Sequence, residues 1–224
     1  YCGYQAVHYF HYIKSINVDT FVIISPSHKG RGPGVSIDSN DIWEIPGTSF
    51  RTDKDLIESG LFEKSESAQL GEHSAEVMLP YLNYYREDLK EIAIITMRDQ
   101  TVENARDIAQ KLIEYEKRSG KVLQIISSSD FNHFEAADVG REKDDKVLEA
   151  ILKKDEEGVV NAVKEHRVSV CGYGPIMALI AYSKLKNKDS RLGVLRRGHS
   201  GEIVPSPQVV DYITLLSSVS KHKH

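Results

Sequence analysis

Cysteine is scarce in this sequence, which contains only Cys2 and Cys171 among its 224 residues. Two cysteines cannot build the network of cross-links on which small secreted proteins depend, so a disulfide scaffold is excluded. We expect both thiols to be free, as in a protein of the reducing cytoplasm, and a single Cys2–Cys171 bridge is the alternative.

Long hydrophobic runs and an excess of positive charge are also lacking. The longest apolar stretches fall far short of the ~18 residues that indicate a membrane-spanning helix. The 29 lysines and arginines are outnumbered by 33 aspartates and glutamates, which gives a net charge of -4. This balance offers no general electrostatic footprint for DNA or RNA. We therefore expect neither a membrane span nor a nucleic-acid partner.

Internal repeats, flexible linkers and low-complexity segments are absent as well, so the sequence predicts one domain over residues 1–224. Its 40% hydrophobic content suffices for an ordinary folded core. The sequence begins at Tyr1 rather than at methionine, and we expect further residues to precede it.

Strands and helices alternate along the chain. Short β-branched runs predict strands at 20–25, 42–45, 92–97, 122–128 and 192–195. Apolar residues at helical spacing predict helices at 3–15, 73–88 (kinked or restarted at Pro80), 101–118, within 141–166, from Pro175 onward and at 207–219, with a short one capped by Asp53. The alternation predicts an α/β fold, a single-domain three-layer sandwich with a mostly parallel central sheet and helices on both faces.

Two of the predicted buried strands end in polar segments that carry a histidine. Residues 20–24 run into Ser25-Pro26-Ser27-His28, and residues 122–126 run into a segment that ends at His133. The carboxyl ends of parallel strands meet at one edge of a sheet, where open α/β folds bind their ligands. We expect four side chains to line one pocket at that edge: His28, Asp130, His133 and Cys171.

Each candidate residue in these polar segments has a possible structural role as well as a functional one. His28 is either a rim histidine hydrogen-bonded to a loop or part of a site. Asp130 either caps the turn that follows it or orients a histidine or binds a cation. His133 titrates near neutral pH and suits a general acid or base, or a ligand.

Cys171 stands immediately before Gly172 and a predicted helix. Amides at a helix N-terminus stabilise a thiolate, which favours nucleophilic attack and metal binding. The alternative is a small buried hydrophobic residue.

A further candidate pair lies in the segment Glu72-His73-Ser74-Ala75-Glu76. His73 and Glu76 are three residues apart, which places them on nearly one face of a predicted helix. The helix dipole favours acidic residues in a first turn, so a structural role explains the pair equally well. The remaining histidines in helices and the tail are predicted to lie on the surface: His8, His11, His166, His222 and His224.

Taken together, these segments resemble the Memo family, also known as the AmmeMemoRadiSam system protein B family. The matching pieces occur in family order and cover nearly the whole chain: Tyr1-Cys2-Gly3, Ser25-Pro26-Ser27-His28, Glu72-His73-Ser74-Ala75-Glu76, Leu79-Pro80-Tyr81-Leu82, Ser128-Ser129-Asp130-Phe131-Asn132-His133, and Cys171-Gly172 followed by Pro175-Ile176. That family is similar in fold to the class III extradiol dioxygenases. The resemblance implies a class III extradiol dioxygenase-like sandwich here.

The resemblance also implies a metal site of two histidines and one cysteine. His28 matches the second histidine and Cys171 matches the cysteine. The first histidine belongs to a Pro-His-Ala-Gly-Tyr motif just upstream of the Tyr-Cys-Gly match and is absent from this chain. Asp130 and His133 match pocket residues near the metal, with His133 as the acid–base histidine. Such a ligand set suits iron or copper and can hold zinc.

Three functions compete at this stage. The first is a Memo-like metal-binding protein, a candidate redox enzyme of unknown substrate, which needs nitrogen and sulfur atoms that converge on one point. The second is a non-catalytic module that captures a small molecule, a peptide or a partner protein in the rim pocket. The third is a cysteine hydrolase with Cys171, His133 and Asp130 as nucleophile, base and orienting group, which needs the thiol within reach of a histidine.

Overall fold

The structure is a computed structural model that describes residues 1–88 and 91–219. His222 and His224, which the sequence assigns to the tail, lie outside the described residues. The helices in the described part are α1 Gly3–Ile13, α2 Lys54–Ile57, α3 Leu79–Tyr85, α4 Val102–Ser119, α5 Ala137–Leu152, α6 Glu156–Glu165 and α7 Tyr173–Lys186. The strands are β1 Thr20–Pro26, β2 Val35–Ile37, β3 Ile42–Ile45, β4 Thr48–Thr52, β5 Glu91–Met97, β6 Leu123–Ser127, β7 His133–Glu135, β8 Ser190–His199 and β9 Val209–Val219.

The central sheet has the strand order β3-β4-β5-β1-β6, and β2 also pairs with β5. The strand β1 runs parallel to β5 and β6, and β4 runs parallel to β5, whereas β2 and β3 are antiparallel to their partners. A mostly parallel sheet of this kind needs cover on both faces because its strands are apolar throughout.

Helices cover both faces of this sheet. Along β1, Val22 and Ile24 belong to the core that includes α4 and α7, whereas Phe21 and Ile23 belong to the core that includes α1 and α3. Side chains alternate between the two faces of a strand, so one apolar run supplies both cores. The predicted α/β three-layer sandwich is confirmed.

Local caps mark the ends of two predicted helices, and the cap at Asp53 is the one that the sequence predicts. The side chain of Asp53 accepts a hydrogen bond from the amide of Leu56 at 3.1 Å and begins α2. Thr101 caps α4 in the same way, and α4 ends at Gly120, whose φ of 74° is left-handed. Glycine adopts that conformation without steric cost, which explains the stop.

The predicted terminal helix at 207–219 is wrong, because this segment forms β9. It is the middle strand of an antiparallel sheet with the order β7-β9-β8. Val209, Asp211 and Ile213 are buried in alternation, which is the period of a strand rather than of a helix. Long-range pairing with β8, from Ser190–Val219 to His199–Asp211, decides the outcome.

The predicted helix at 73–88 begins later than expected. Residues 74–75 form a turn, a single 3-10 turn covers Glu76–Met78, and α3 begins at Leu79 with Pro80 in its first turn. Proline lacks the amide hydrogen that a helix interior requires, so it marks a new start. His73 and Glu76 therefore do not share a helix face.

The described helices do not include one that combines the length and the apolar character needed to cross a membrane.

Candidate functional site

A cavity of about 250 Å³ lies at the carboxyl ends of β1 and β6. Four polar residues of its lining, called the rim below, are His28, His73, Asp130 and Cys171. The strand ends bring His28 and Asp130 together, and the turn before α7 adds Cys171. His133 is not among the residues that line the cavity, although its neighbour Asp130 is.

A buried carboxylate, Glu72, holds His28 in place. One oxygen, Oε1, lies 2.8 Å from Nδ1 of His28, and the other, Oε2, accepts the His28 amide at 2.6 Å. The amides of His73 and Ser74 also donate to Oε1, at 2.9 Å and 3.1 Å. With Nδ1 donating to the carboxylate, the lone pair of the His28 ring is on Nε2, which has no hydrogen-bond partner among the described residues.

Glu72 is ionised under ordinary conditions. Burial opposes its charge, but the hydrogen bonds from the His28 ring and from three amides outweigh burial and lower the pKa of the Glu72 carboxyl to about 2. The sequence alone assigns no role to Glu72 within the Glu72–Glu76 segment. Its signal was its place beside His73, but nothing local shows that it reaches across to His28.

His73 packs against His28. The two rings stack with centroids 4.8 Å apart at an interplanar angle of 24°. Ligand atoms of His28, Glu72 and His73 all lie within 4.8 Å of one another, a geometry that could hold a cation. The oxygens of Glu72 already accept four hydrogen bonds, so this carboxylate acts as an orienting group. Glu76 is exposed and outside the cavity wall.

Cys171 is a free thiol, half-buried at the rim. Its Sγ accepts a hydrogen bond from the amide of Asp130 at 3.1 Å. Burial raises the pKa of the Cys171 thiol despite that bond. This direction is opposite to the one predicted from the helix N-terminus, because desolvation of the thiolate exceeds what the amides supply.

Asp130 does not cap a helix, since the chain continues from it into β7. His133, the first residue of β7, directs Nδ1 to the carbonyl oxygen of Ser169 at 2.7 Å. Its Nε2 lies 3.6 Å from Oδ2 of Asp130. The Asp130 carboxylate raises the pKa of His133, against the effect of burial and with help from the Ser169 carbonyl. Asp130 thus stands between His133 and the cavity.

Behind β7 lies a pair of buried acids, Asp144 and Asp211. Asp144 accepts the amide of Asn132 at 3.0 Å and lies 3.6 Å from Arg197. The Oδ2 atoms of both carboxyls are buried without a hydrogen-bond partner in the described part of the chain. Burial, together with the charge of Asp211, raises the pKa of Asp144 to about 7. This pair of acids therefore helps to hold the Asn132–His133 segment in position.

Replacing Asp144 with asparagine is expected to flatten the dependence of stability on pH. The folded protein holds the Asp144 proton up to about pH 7, whereas the unfolded chain, with the usual pKa of 3.8, releases it earlier. The unfolded state therefore binds fewer protons between these values, and the free energy of unfolding falls as pH rises across them. Asparagine keeps the acceptor for Asn132 and should raise stability at pH 8 by roughly 1–3 kcal/mol.

Urea denaturation from pH 4 to pH 8 measures this effect. Asp145→Asn is the matched control, because Asp145 is exposed yet also pairs with Arg197. If the free energy of unfolding of Asp144→Asn depends on pH as steeply as that of the parent, Asp144 does not carry the proton.

The hydrolase arrangement is not assembled. Within residues 1–88 and 91–219, the contacts of Cys171 Sγ are with Ser129 and Asp130, and no histidine nitrogen lies within hydrogen-bond distance of it. The raised pKa of the Cys171 thiol also disfavours the thiolate that a nucleophile requires. Among the described residues, no histidine is therefore placed to act as a general base for Cys171.

Comparisons with known proteins agree on one family. A family model described as "Memo-like protein" matches residues 1–216. A MEMO1 family protein of Methanothermobacter thermautotrophicus is 32% identical over 209 residues, which cover 91% of this chain and 75% of the relative. A MEMO1 family protein of Ignicoccus hospitalis is 36% identical over 199 residues, covering 87% and 70%. Another from Saccharolobus solfataricus is 33% identical over 221 residues, covering 95% and 77%.

Proposed function

The chain belongs to the Memo-like protein family, and on that premise we propose that the rim of its cavity binds a transition metal, iron or copper, through His28 and Cys171. The observation that carries the proposal is the contact between Glu72 and His28. A metal-binding histidine usually donates its other ring nitrogen to a carboxylate, which fixes the tautomer and the direction of the ring. Glu72 does this for His28 at 2.8 Å.

The donor chemistry of the rim fits such a metal. An imidazole nitrogen and a cysteine sulfur together suit copper and iron and also accept zinc. Catalytic metal sites usually provide three protein ligands and keep one position open. The family resemblance implies that the third ligand is the histidine of the Pro-His-Ala-Gly-Tyr motif. When bound, iron or copper would supply one-electron chemistry to a substrate at the rim.

Asp130 and His133 would move protons beside this metal. Asp130 lines the cavity, and Nε2 of His133 lies 3.6 Å from its Oδ2 atom. Because the pKa of His133 is raised, its ring stays protonated to a higher pH than an ordinary histidine, which suits a general acid–base group. In this arrangement Asp130 contacts the substrate, and His133 acts through it.

Calorimetric titration of the 224-residue protein with Fe(II), Cu(I) and Zn(II), under anaerobic conditions, tests the proposal. We expect Cys171→Ser and His28→Ala to weaken binding of the preferred metal at least ~10-fold, since each removes a ligand. His133→Ala should leave binding within about 3-fold. The matched control is Cys2→Ser, because Cys2 also lines the cavity. If Cys171→Ser binds metal as tightly as the parent, the assignment is wrong.

A metal-free binding module is the second candidate. The inner wall of the cavity is mostly apolar, with Ile125, Ile126 and Phe10 among its residues, and such walls are common in sites for small molecules and peptides. This function predicts ligand binding that is unchanged by chelators and by Cys171→Ser. The titration above, repeated in the presence of EDTA, separates the two candidates.

A further inference from the structure

The turn that carries Cys171 leads into α7, and this helix has no side-chain cap from its own N-cap residue, Gly172. The first amides of a helix have no partner within the helix and need one elsewhere. Side chains that follow two strands of the central sheet supply it. Ser129, after β6, accepts the amide of Gly172 at 2.9 Å, and Gln100, after β5, accepts the amide of Gly174 at 2.7 Å.

Gln100 also holds the backbone of Cys171 itself. Its Nε2 donates to the carbonyl oxygen of Cys171 at 2.9 Å, while its Oε1 accepts the Gly174 amide. A carbonyl requires a donor and an amide requires an acceptor, so only one orientation of the Gln100 side-chain amide satisfies both. One side chain therefore spans the turn and ties both of its ends to the segment after β5.

Gly174 leaves the space that this contact needs. A Cβ at Gly174 would lie 2.8 Å from both Cβ and Cγ of Gln100, too close for either side chain to stay in place. Glycine is an unfavourable residue in a helix. The close approach of Gln100 explains why α7 carries one in its first turn.

The direction of the Cys171 thiol depends on this turn. The segment after β6 holds the other side of the residue, because the Asp130 amide donates to Sγ at 3.1 Å and the Cys171 amide donates to the Asp130 carbonyl at 3.3 Å. Gln100 holds the carbonyl end. Cys171 lines the cavity, whereas Gln100 is not among the described residues that do so.

We propose that Gln100 is a positioning residue for Cys171, which contacts neither metal nor substrate and fixes the direction of the thiol at the rim. Residues that orient a metal ligand commonly contribute 10–100-fold to metal affinity. The inference rests on the proposed metal site for its effect on affinity, whereas the position of the thiol is measured without metal.

The variant Gln100→Glu separates positioning from helix capping. Glutamate has nearly the same size and keeps an acceptor for the Gly174 amide, where a negative charge also suits the helix N-terminus. It has no donor for the Cys171 carbonyl, so two oxygens would face each other there. A residue that only caps α7 would make this variant equal to the parent, whereas a positioning residue would not.

Hydrogen exchange followed by NMR, on the metal-free 224-residue protein, reads both ends of the contact. The Asp130 amide reports its bond to Cys171 Sγ, and the Gly174 amide reports the cap. In Gln100→Glu we expect the Asp130 amide to exchange at least ~5-fold faster, as for the loss of one hydrogen bond, and the Gly174 amide to stay protected. Gln100→Ala should expose both. Thr101→Ala, which removes only the cap of α4, is the matched control and should leave both amides as in the parent.

Cu(I) titration of the same proteins gives the second measurement, with an affinity about 10-fold weaker expected for Gln100→Glu. Exchange of the Asp130 amide at the parent rate in Gln100→Glu overturns the proposal, and so does Cu(I) affinity equal to that of a parent that binds the metal. If the parent binds no Cu(I), Fe(II) or Zn(II), the proposed function fails. The exchange at Asp130 then decides by itself whether Gln100 positions the thiol.

Discussion

Replacing Glu72 with alanine is expected to destabilise the protein by about 3–5 kcal/mol, because the change removes one partner from a buried charged network. The Glu72 side chain is fully buried and accepts hydrogen bonds from the His28 ring and from three amides. Alanine leaves those donors facing a cavity without an acceptor. Chemical denaturation at pH 7 measures the loss.

The same substitution should also release His28. Without the carboxylate, nothing among the described residues fixes its ring tautomer, and metal affinity should fall 10–100-fold if His28 is a ligand. Glu72→Gln keeps one acceptor oxygen and should lie between Glu72→Ala and the parent in both measurements. Glu76→Gln, four residues along on the exposed surface, is the control and should change stability by less than about 0.5 kcal/mol. A Glu72→Ala protein as stable as Glu76→Gln would contradict the role given to this carboxylate.

Gly172→Ala should have the next largest effect, because no space exists for a methyl group there. A Cβ at Gly172 would overlap the carbonyl oxygen of Ser128 and would lie 2.8 Å from Cβ of Ser129. The Ser128 oxygen is backbone at the end of β6 and cannot turn away. We expect a loss of about 3 kcal/mol from this overpacking, and displacement of Cys171 from the Asp130 amide that it contacts at 3.1 Å.

Gly193→Ala is the matched control for this substitution. Gly193 lies in β8, and a Cβ there would have nothing within 4 Å. It should leave stability within about 1 kcal/mol of the parent, because the change affects only local backbone freedom. Thermal unfolding and metal titration of both variants check the result. If Gly172→Ala unfolds at the same temperature as Gly193→Ala, the close approach of α7 to β6 is not structurally important.

The sequence by itself determined most of the central sandwich. Residues 20–24, 92–97 and 122–126 are apolar, β-branched runs that belong in a buried parallel sheet whatever surrounds them. The caps at Asp53 and Thr101 and the stop at Gly120 are local chemistry, so helix boundaries could be predicted there. The common edge of His28 and Asp130 follows from the direction of two parallel strands.

Only the tertiary structure decided β9, the role of Glu72 and the pKa of Cys171. The sequence predicts a helix at 207–219, whereas the pairing of β9 with β8 is a long-range contact that no local window contains. Glu72 reaches His28 across 44 positions of sequence. Burial, which raises the pKa of Cys171, is a property of the packed fold. Local propensity depends on neighbouring residues, whereas desolvation and charge pairing depend on which distant groups the fold brings together.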